Sequence, residues 1–347
     1  MTGGAAVVGG RRDRTDLERL LDTLIRKGWA GAGASITPLS GGVSSIVAVV
    51  SDAGASWVVK TPREQLDVSE EWHADRSRGA NEAAILRHLG GTLGPIRVPR
   101  LLFFDEESVI LGEELISGAL GRGPAPTYRE ELLEGRSWID VASGLGVAAT
   151  ALHQMRPPAS VSGEHPRDLF ETLRLDPYFR VTARRCPELS DPLNALIDET
   201  IEAAPRSIVH GDFTPKNLLV TGEVPVLLDW EVVHAGDPAF DTGVFTAHLV
   251  LKALRDQAPG GHEPPLAAAR AFWTSYRGPA NVPRSFRHAG AVVLARLHGK
   301  SPVDYLVSPG ARQRAHSVGV ALLASEHADL DVLVQLVRTA QPMNPAS

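Results

Sequence analysis

The spacing of apolar residues divides the chain into a strand-rich first third and a helix-rich remainder. Ile46 to Val50 is a β-branched run. The turn Asp52-Ala-Gly54 leads into Trp57-Val-Val-Lys60, and Leu101-Leu-Phe-Phe104 and Ser108-Val-Ile-Leu111 form a further strand pair around Asp105-Glu-Glu107. One helix interrupts them. Glu82, Ile85, Leu86 and Leu89 fall on a single helical face, and Gly90-Gly91 ends the run. Beyond residue 123 the apolar period becomes helical. It predicts helices over Ser137–Met155, Leu189–Ala204, Asp241–Leu254, Leu266–Tyr276, Pro283–His298 and Val318–Thr339, the last broken around Glu326 to Asp331. Gly112 to Gly123 is polar, glycine-containing and weakly periodic. This sets boundaries at 1–14 for a disordered leader, 15–112 for an N-terminal lobe, 113–123 for a hinge and 124–347 for a C-terminal lobe.

Within the helical part, one short β-like stretch carries chemistry. Ile208-Val209 ends a strand, His210-Gly-Asp-Phe-Thr-Pro-Lys-Asn217 forms a loop, Leu218-Leu-Val220 starts the next strand, and Gly222 turns the chain into Val226-Leu-Leu228 and then Asp229-Trp-Glu231. Asp212 lies five residues before Asn217, and Asp229 follows on its own apolar strand. Two acids and an amide on adjacent rigid segments suit phosphoryl transfer, a reaction that needs positioning and charge neutralisation more than covalent work. Asp212 would orient and deprotonate an attacking hydroxyl. Asn217 and Asp229 offer the hard oxygens that magnesium takes. Lys216 would either reach the transferred phosphate or stay in solvent.

Such a site needs a phosphate-binding lysine upstream. Leu39-Ser-Gly-Gly-Val-Ser-Ser45 is a glycine turn between strands. Backbone N–H groups around Ser40, Gly41 and Gly42, with the Ser44 hydroxyl, would approach phosphates. Lys60 ends the third strand. Glu82, an acid on an apolar helical face, either pairs with Lys60 of the preceding strand, the natural candidate, or lies at the helix edge and favours its N-terminal turn. Adenine would lie between the lobes on backbone groups from Glu113 to Leu115. Thr61 to Gly79 reads either as a lid or as a surface loop. Leu173-Arg-Leu-Asp-Pro-Tyr178 is a second candidate pocket element, and Arg296-Leu-His-Gly-Lys300 either closes the substrate site or is a solvated helix end.

Composition narrows the partners. The 347 residues are 43% hydrophobic and 22% charged, and no apolar stretch is long enough for a bilayer, so no membrane is expected. A net charge of −6 argues against nucleic acid. Cys186 is the single cysteine, which excludes an intrachain disulfide and favours a reducing cytoplasm. A monomer or homodimer acting on a small hydroxylated substrate is the expectation.

The ordered HGDxxxxN string with the downstream LLDxE strand resembles the aminoglycoside phosphotransferase/choline kinase superfamily, related to the protein kinases, from roughly Ile36 to Leu306. The resemblance implies a bilobal, protein-kinase-like α+β fold: a small N-terminal antiparallel sheet lobe with one helix and a larger, mainly helical C-terminal lobe. It implies ATP or GTP with Mg2+. It makes Asp212 the catalytic base, Asn217 and Asp229 the magnesium ligands, Lys60 the phosphate-binding residue and Glu82 its partner. His210 would brace the loop, and Asp237 and Asp241 would anchor it and cap the next helix. The Asp229-x-Glu231 form is similar to methylthioribose kinase, where both acids lie at the metal, since residues i and i+2 share a strand face. A sugar-like alcohol such as a thioribose is the preferred acceptor, with an aminoglycoside the alternative. A pseudokinase is disfavoured because Asp212, Asn217, Asp229 and Lys60 are all present.

Overall fold

The computed structural model describes residues 11–39, 44–66, 72–117, 125–222, 224–256 and 258–340. The expected phosphate-turn residues Ser40, Gly41 and Gly42, and residues 118–123 of the expected hinge, lie outside them.

Helix α1 (Arg11–Arg26) precedes strands β1 (Ser35–Pro38), β2 (Ser45–Asp52) and β3 (Ala55–Pro62). Helix α2 (Arg78–Leu89) follows, then the short strands β4 (Thr92–Leu93) and β5 (Ile96–Arg97), then β6 (Leu101–Asp105) and β7 (Ile110–Glu114). The main sheet has the antiparallel order β1-β2-β3-β7-β6. Residues 11–14, expected in a leader, are therefore helical, and this lobe has two helices instead of one. Leu20 and Leu24 of α1 pack on Ala48, Val50, Val59 and Ile110, covering one sheet face. Side chains alternate along a strand, so Lys60, next to Val59, turns to the other face, where α2 lies.

The hinge begins later than the sequence predicts. Gly112, Glu113 and Glu114 are residues of β7, paired with Val59, Val58 and Trp57. Gly112 reads as a linker glycine, but its role is packing: a Cβ there would lie 2.1 Å from the Phe103 ring.

The second lobe holds α3 (Tyr128–Leu133), α4 (Ile139–Gln154), α5 (Glu164–Phe170), a π-helix at Glu171–Arg180, α6 (Val181–Arg185) and α7 (Ser190–Glu202). Strands β8 (Ser207–Val209), β9 (Leu218–Leu219), β10 (Val226–Leu227) and β11 (His234–Gly236) come next, then α8 (Ala239–Ala253), α9 (Glu263–Ser275), α10 (Val282–His298), α11 (Pro309–Leu323) and α12 (Leu330–Thr339). The six predicted helices all appear, and the predicted break separates α11 from α12. The Glu164–Arg185 helices were not foreseen, because Pro177 inside the run reads as a breaker. A π-helix, with its wider turn, accommodates it.

Two features join the lobes. Strand β5 pairs in parallel with β10, so β4 and β5 share a four-stranded sheet with the hairpin that leads to Asp229. The apolar face of α2, Ile85, Leu86 and Leu89, is buried in one cluster with Leu145, Phe213 and Trp230 of the second lobe. Burying those three side chains is worth roughly 1.5–3 kcal/mol each.

Candidate active site

The loop after β8 is fixed by a buried acid thirty residues downstream. Asp241, fully buried at the start of α8, accepts hydrogen bonds from the backbone N–H of His210 (2.7 Å) and of Gly211 (2.9 Å) and from His153 Nε2 (3.2 Å). Burial opposes its charge, but His153 and these donors outweigh that and hold its pKa below the usual carboxylate value. Asp237, expected to anchor the loop and cap the next helix, accepts from the N–H of Ala239 at the start of α8 and pairs with Arg284 at 2.9 Å. The His210 ring braces the loop from within. Its Nδ1 accepts from the N–H of Asp212 at 3.2 Å and its Nε2 donates to the carbonyl of Leu228 at 3.1 Å. Those roles need the neutral imidazole, and desolvation lowers its pKa accordingly.

Gly211 takes φ +78°, and a Cβ there would lie 2.7 Å from the Val232 carbonyl oxygen. Gly211→Ala is therefore expected to destabilise the fold by about 1–3 kcal/mol, measured by denaturant unfolding. An unchanged midpoint would mean that the loop relaxes freely.

These constraints aim Asp212 into a cationic setting. Its Oδ2 lies 3.1 Å from Arg174 Nη2, 3.0 Å from Lys216 Nζ and 2.9 Å from Asn217 Nδ2. Although 2% exposed, Asp212 keeps its charge: desolvation raises its pKa, but Arg174, Lys216 and the bonds to Lys216 and Asn217 hold it far below the usual range. Lys216 is half-exposed (53% of its side chain), so it meets both solvent and Asp212. Partial desolvation disfavours its charge, and the Asp212 and Asp229 carboxylates more than restore it. Arg174 also donates through Nε to the Gly211 carbonyl at 2.9 Å. Sequence reasoning did not single it out. The pocket segment 173–178 contains it, but its partner is 38 residues away.

The second half of the site centres on Lys60. Its Nζ lies 2.8 Å from Glu82 Oε2 and 2.5 Å from Asp229 Oδ1. Burial disfavours the ammonium, but Asp229, Glu82, Glu231 and Glu113 surround it and hold its pKa well above the ordinary lysine value. Glu82 Oε1 also accepts from the N–H of Trp230 (3.0 Å), tying α2 to the residue after Asp229. Asn81 beside it donates to the carbonyls of Glu231 and Val233. Glu113 is 8% exposed and contributes its carboxylate here, while Leu115 is half-buried just past β7.

Glu231 departs from its expected place beside Asp229. Residues 229–231 are not a strand: Asp229 takes φ +67°, and the i, i+2 alternation does not hold there. The Glu231 carboxylate instead meets Arg78 Nε at 3.1 Å, both side chains being buried. Arg78 Nη2 also donates to the carbonyls of Ser44 and Arg63 at 2.6 Å, so this pair fastens the ends of the 61–79 segment. Ser44 thus contributes a carbonyl to the structural network. Among the described residues no group of three or more His, Cys, Asp and Glu side chains is placed to hold a metal. Asn217 and Asp229 remain as oxygen donors. That fits magnesium, which is commonly held by one or two carboxylates plus substrate phosphates.

Residues 35–299 match the APH family, described as the phosphotransferase enzyme family. The chain belongs to that family. The chain is 23% identical over 210 residues to a methylthioribose kinase of Escherichia coli O45:K1, covering 52% of this chain. It spans about half (49%) of that curated relative's length. Its fold matches a putative aminoglycoside phosphotransferase of Ralstonia eutropha (17% identity, 93% of this chain and 99% of that one, TM-score 0.54). It also matches the choline kinase LicA of Streptococcus pneumoniae (15%, 89% and 99%, TM-score 0.53). The bilobal α+β architecture is thus that of the small-molecule phosphotransferases. No helix among the described residues is long and apolar enough to cross a membrane.

Proposed function

We propose that this chain is a kinase that transfers the γ-phosphoryl group of ATP, or of GTP, to a hydroxyl of a small sugar-like metabolite. One observation carries the reading. Lys60 and Asp229 form a single ion network with Glu82, and Asp212 is held ionised by Arg174, Lys216 and Asn217. A choline kinase of the same fold has been solved with AMP, which supports nucleotide use. The similarity to a methylthioribose kinase favours a sugar-like acceptor.

In this reading Lys60, oriented by Glu82, binds nucleotide phosphate. Asn217 and Asp229 would hold magnesium through their oxygens, and the chemistry it would supply there is neutralisation of phosphate charge. Asp212 accepts the hydrogen bond of the acceptor hydroxyl. The low proton affinity of Asp212 makes it a poor base toward a resting alcohol. Its first task is therefore aim, and it takes the proton only as the new O–P bond forms and the bond to the β–γ bridging oxygen breaks. Lys216, beside Asp212 and half-exposed, supplies positive charge to the moving phosphoryl group.

A nucleotide-dependent mass-gain screen over thiosugars, nucleosides, amino alcohols and aminoglycosides, with and without magnesium, tests the reading. The expected result is magnesium-dependent phosphorylation of a sugar-like alcohol. Absence of both transfer and nucleotide binding would reject it. Gain on an aminoglycoside alone would replace the acceptor class.

A further inference from the structure

A cationic cluster in the second lobe, reaching as far as Tyr178, is left unused by the transfer chemistry. Lys252, on α8, is 1% exposed, yet among the described residues its Nζ finds only the His248 carbonyl of its own helix (3.2 Å) and the face of the Tyr305 ring (5.2 Å). Arg129 lies over the same ring at 5.6 Å, and Arg255 and Arg296 complete the group. The opposing charge is Asp304, which Arg129 engages at 2.7 Å. Arg255 donates to the Leu133 carbonyl, and Arg296 donates to Ser301 Oγ at 2.7 Å. Three buried polar atoms in this cluster, Arg255 Nε, Arg296 Nε and Tyr305 Oη, have no hydrogen-bond partner among the described residues. Buried donors are nearly always satisfied, and a buried ammonium among like charges is costly. A group of orphaned donors around an unpaired lysine therefore marks a place prepared for an anion.

The cluster borders the reacting centre. Arg296 sits over the Tyr178 ring at 5.9 Å, and Tyr178 lies one turn along the same π-helix from Arg174, which meets Asp212 at 3.1 Å. We infer that Arg296, Lys252 and Tyr305 form an acceptor subsite for a negatively charged group, so that the hydroxylated substrate carries a carboxylate or a phosphate. Like charges at close quarters would repel a polycationic aminoglycoside or a quaternary amine from this place. The inference rests on the kinase reading for the word acceptor, and on the cluster itself for the anion.

The test compares four acceptors of one carbon skeleton: a neutral sugar, its phosphate monoester, its aldonic acid and its amino derivative. The phosphate ester or the aldonate is expected to show a KM at least tenfold below that of the neutral sugar, and the better of the two identifies the anion. Arg296→Gln should raise that KM tenfold or more. Tyr305→Phe, which removes only the orphaned hydroxyl and leaves the ring, should raise it about threefold. Preference for the neutral or amino sugar, or an anion preference untouched in both variants, overturns the subsite. If none of the four is phosphorylated, a binding arm decides the subsite independently of the kinase reading. In that arm, with a non-hydrolysable nucleotide and magnesium present, inorganic phosphate should raise the thermal midpoint of the wild-type protein but not of Arg296→Gln. Equal responses of the two proteins refute the subsite.

Discussion

An Asp212→Asn protein is expected to transfer phosphate about 10²- to 10⁴-fold more slowly while binding nucleotide nearly as well as the wild type. The two halves of the site predict this split. Lys60, Glu82 and Asp229 form their network without using the Asp212 side chain, so nucleotide affinity should change little. An amide keeps the shape of the carboxylate but cannot take the proton of an attacking hydroxyl. It also leaves Arg174, with 9% of its side chain exposed, facing no anion at Oδ2, so some stability is lost as well. Single-turnover transfer and calorimetric nucleotide binding separate these effects. Wild-type transfer rates in the variant would remove Asp212 from the reaction.

The second large effect concerns Asp241. Asp241→Ala should destabilise the protein by about 3–5 kcal/mol, because the N–H groups of His210 and Gly211 and the ring of His153 lose one shared buried acceptor. Whole domains are stable by only about 5–15 kcal/mol. The sign with pH follows from the lowered pKa. The carboxylate contributes its stabilisation fully above the unfolded value of about 4, and loses it as pH falls through the lower folded value. Denaturant unfolding should therefore show the full difference from wild type at pH 7 and a shrinking one below about pH 4. A constant difference across that range would assign the loss to packing instead of charge.

What could be read from the sequence follows the range of the contacts. Asp212, Lys216 and Asn217 lie within five residues of one another, and their ordered string announces their meeting. The Lys60–Glu82 contact spans 22 residues, but an acid on an apolar helical face reveals it, since burial there demands a cation. Arg174 and Arg78 gave no such sign. Their partners lie 38 and 153 residues away, and an arginine within a polar segment looks the same whether it is solvated or buried. Glu231 was misplaced because alternation was carried past the end of β10, where the positive φ of Asp229 turns the chain. Gly112 was read as freedom where the structure shows tight packing, a distinction that depends on Phe103 across the sheet.

Helix α2 is secured on three sides: to Lys60 through Glu82, to the turn after Asp229 through Glu82 and Asn81, and to the second lobe through Ile85, Leu86 and Leu89. Many nucleotide-driven switches work by swinging such a helix away and calling it back on a signal. Here withdrawal would tear a shared core and orphan a buried carboxylate. Helix α2 is therefore expected to stay docked whether or not a ligand is present, because leaving would break a shared core and a buried ion pair in the same step.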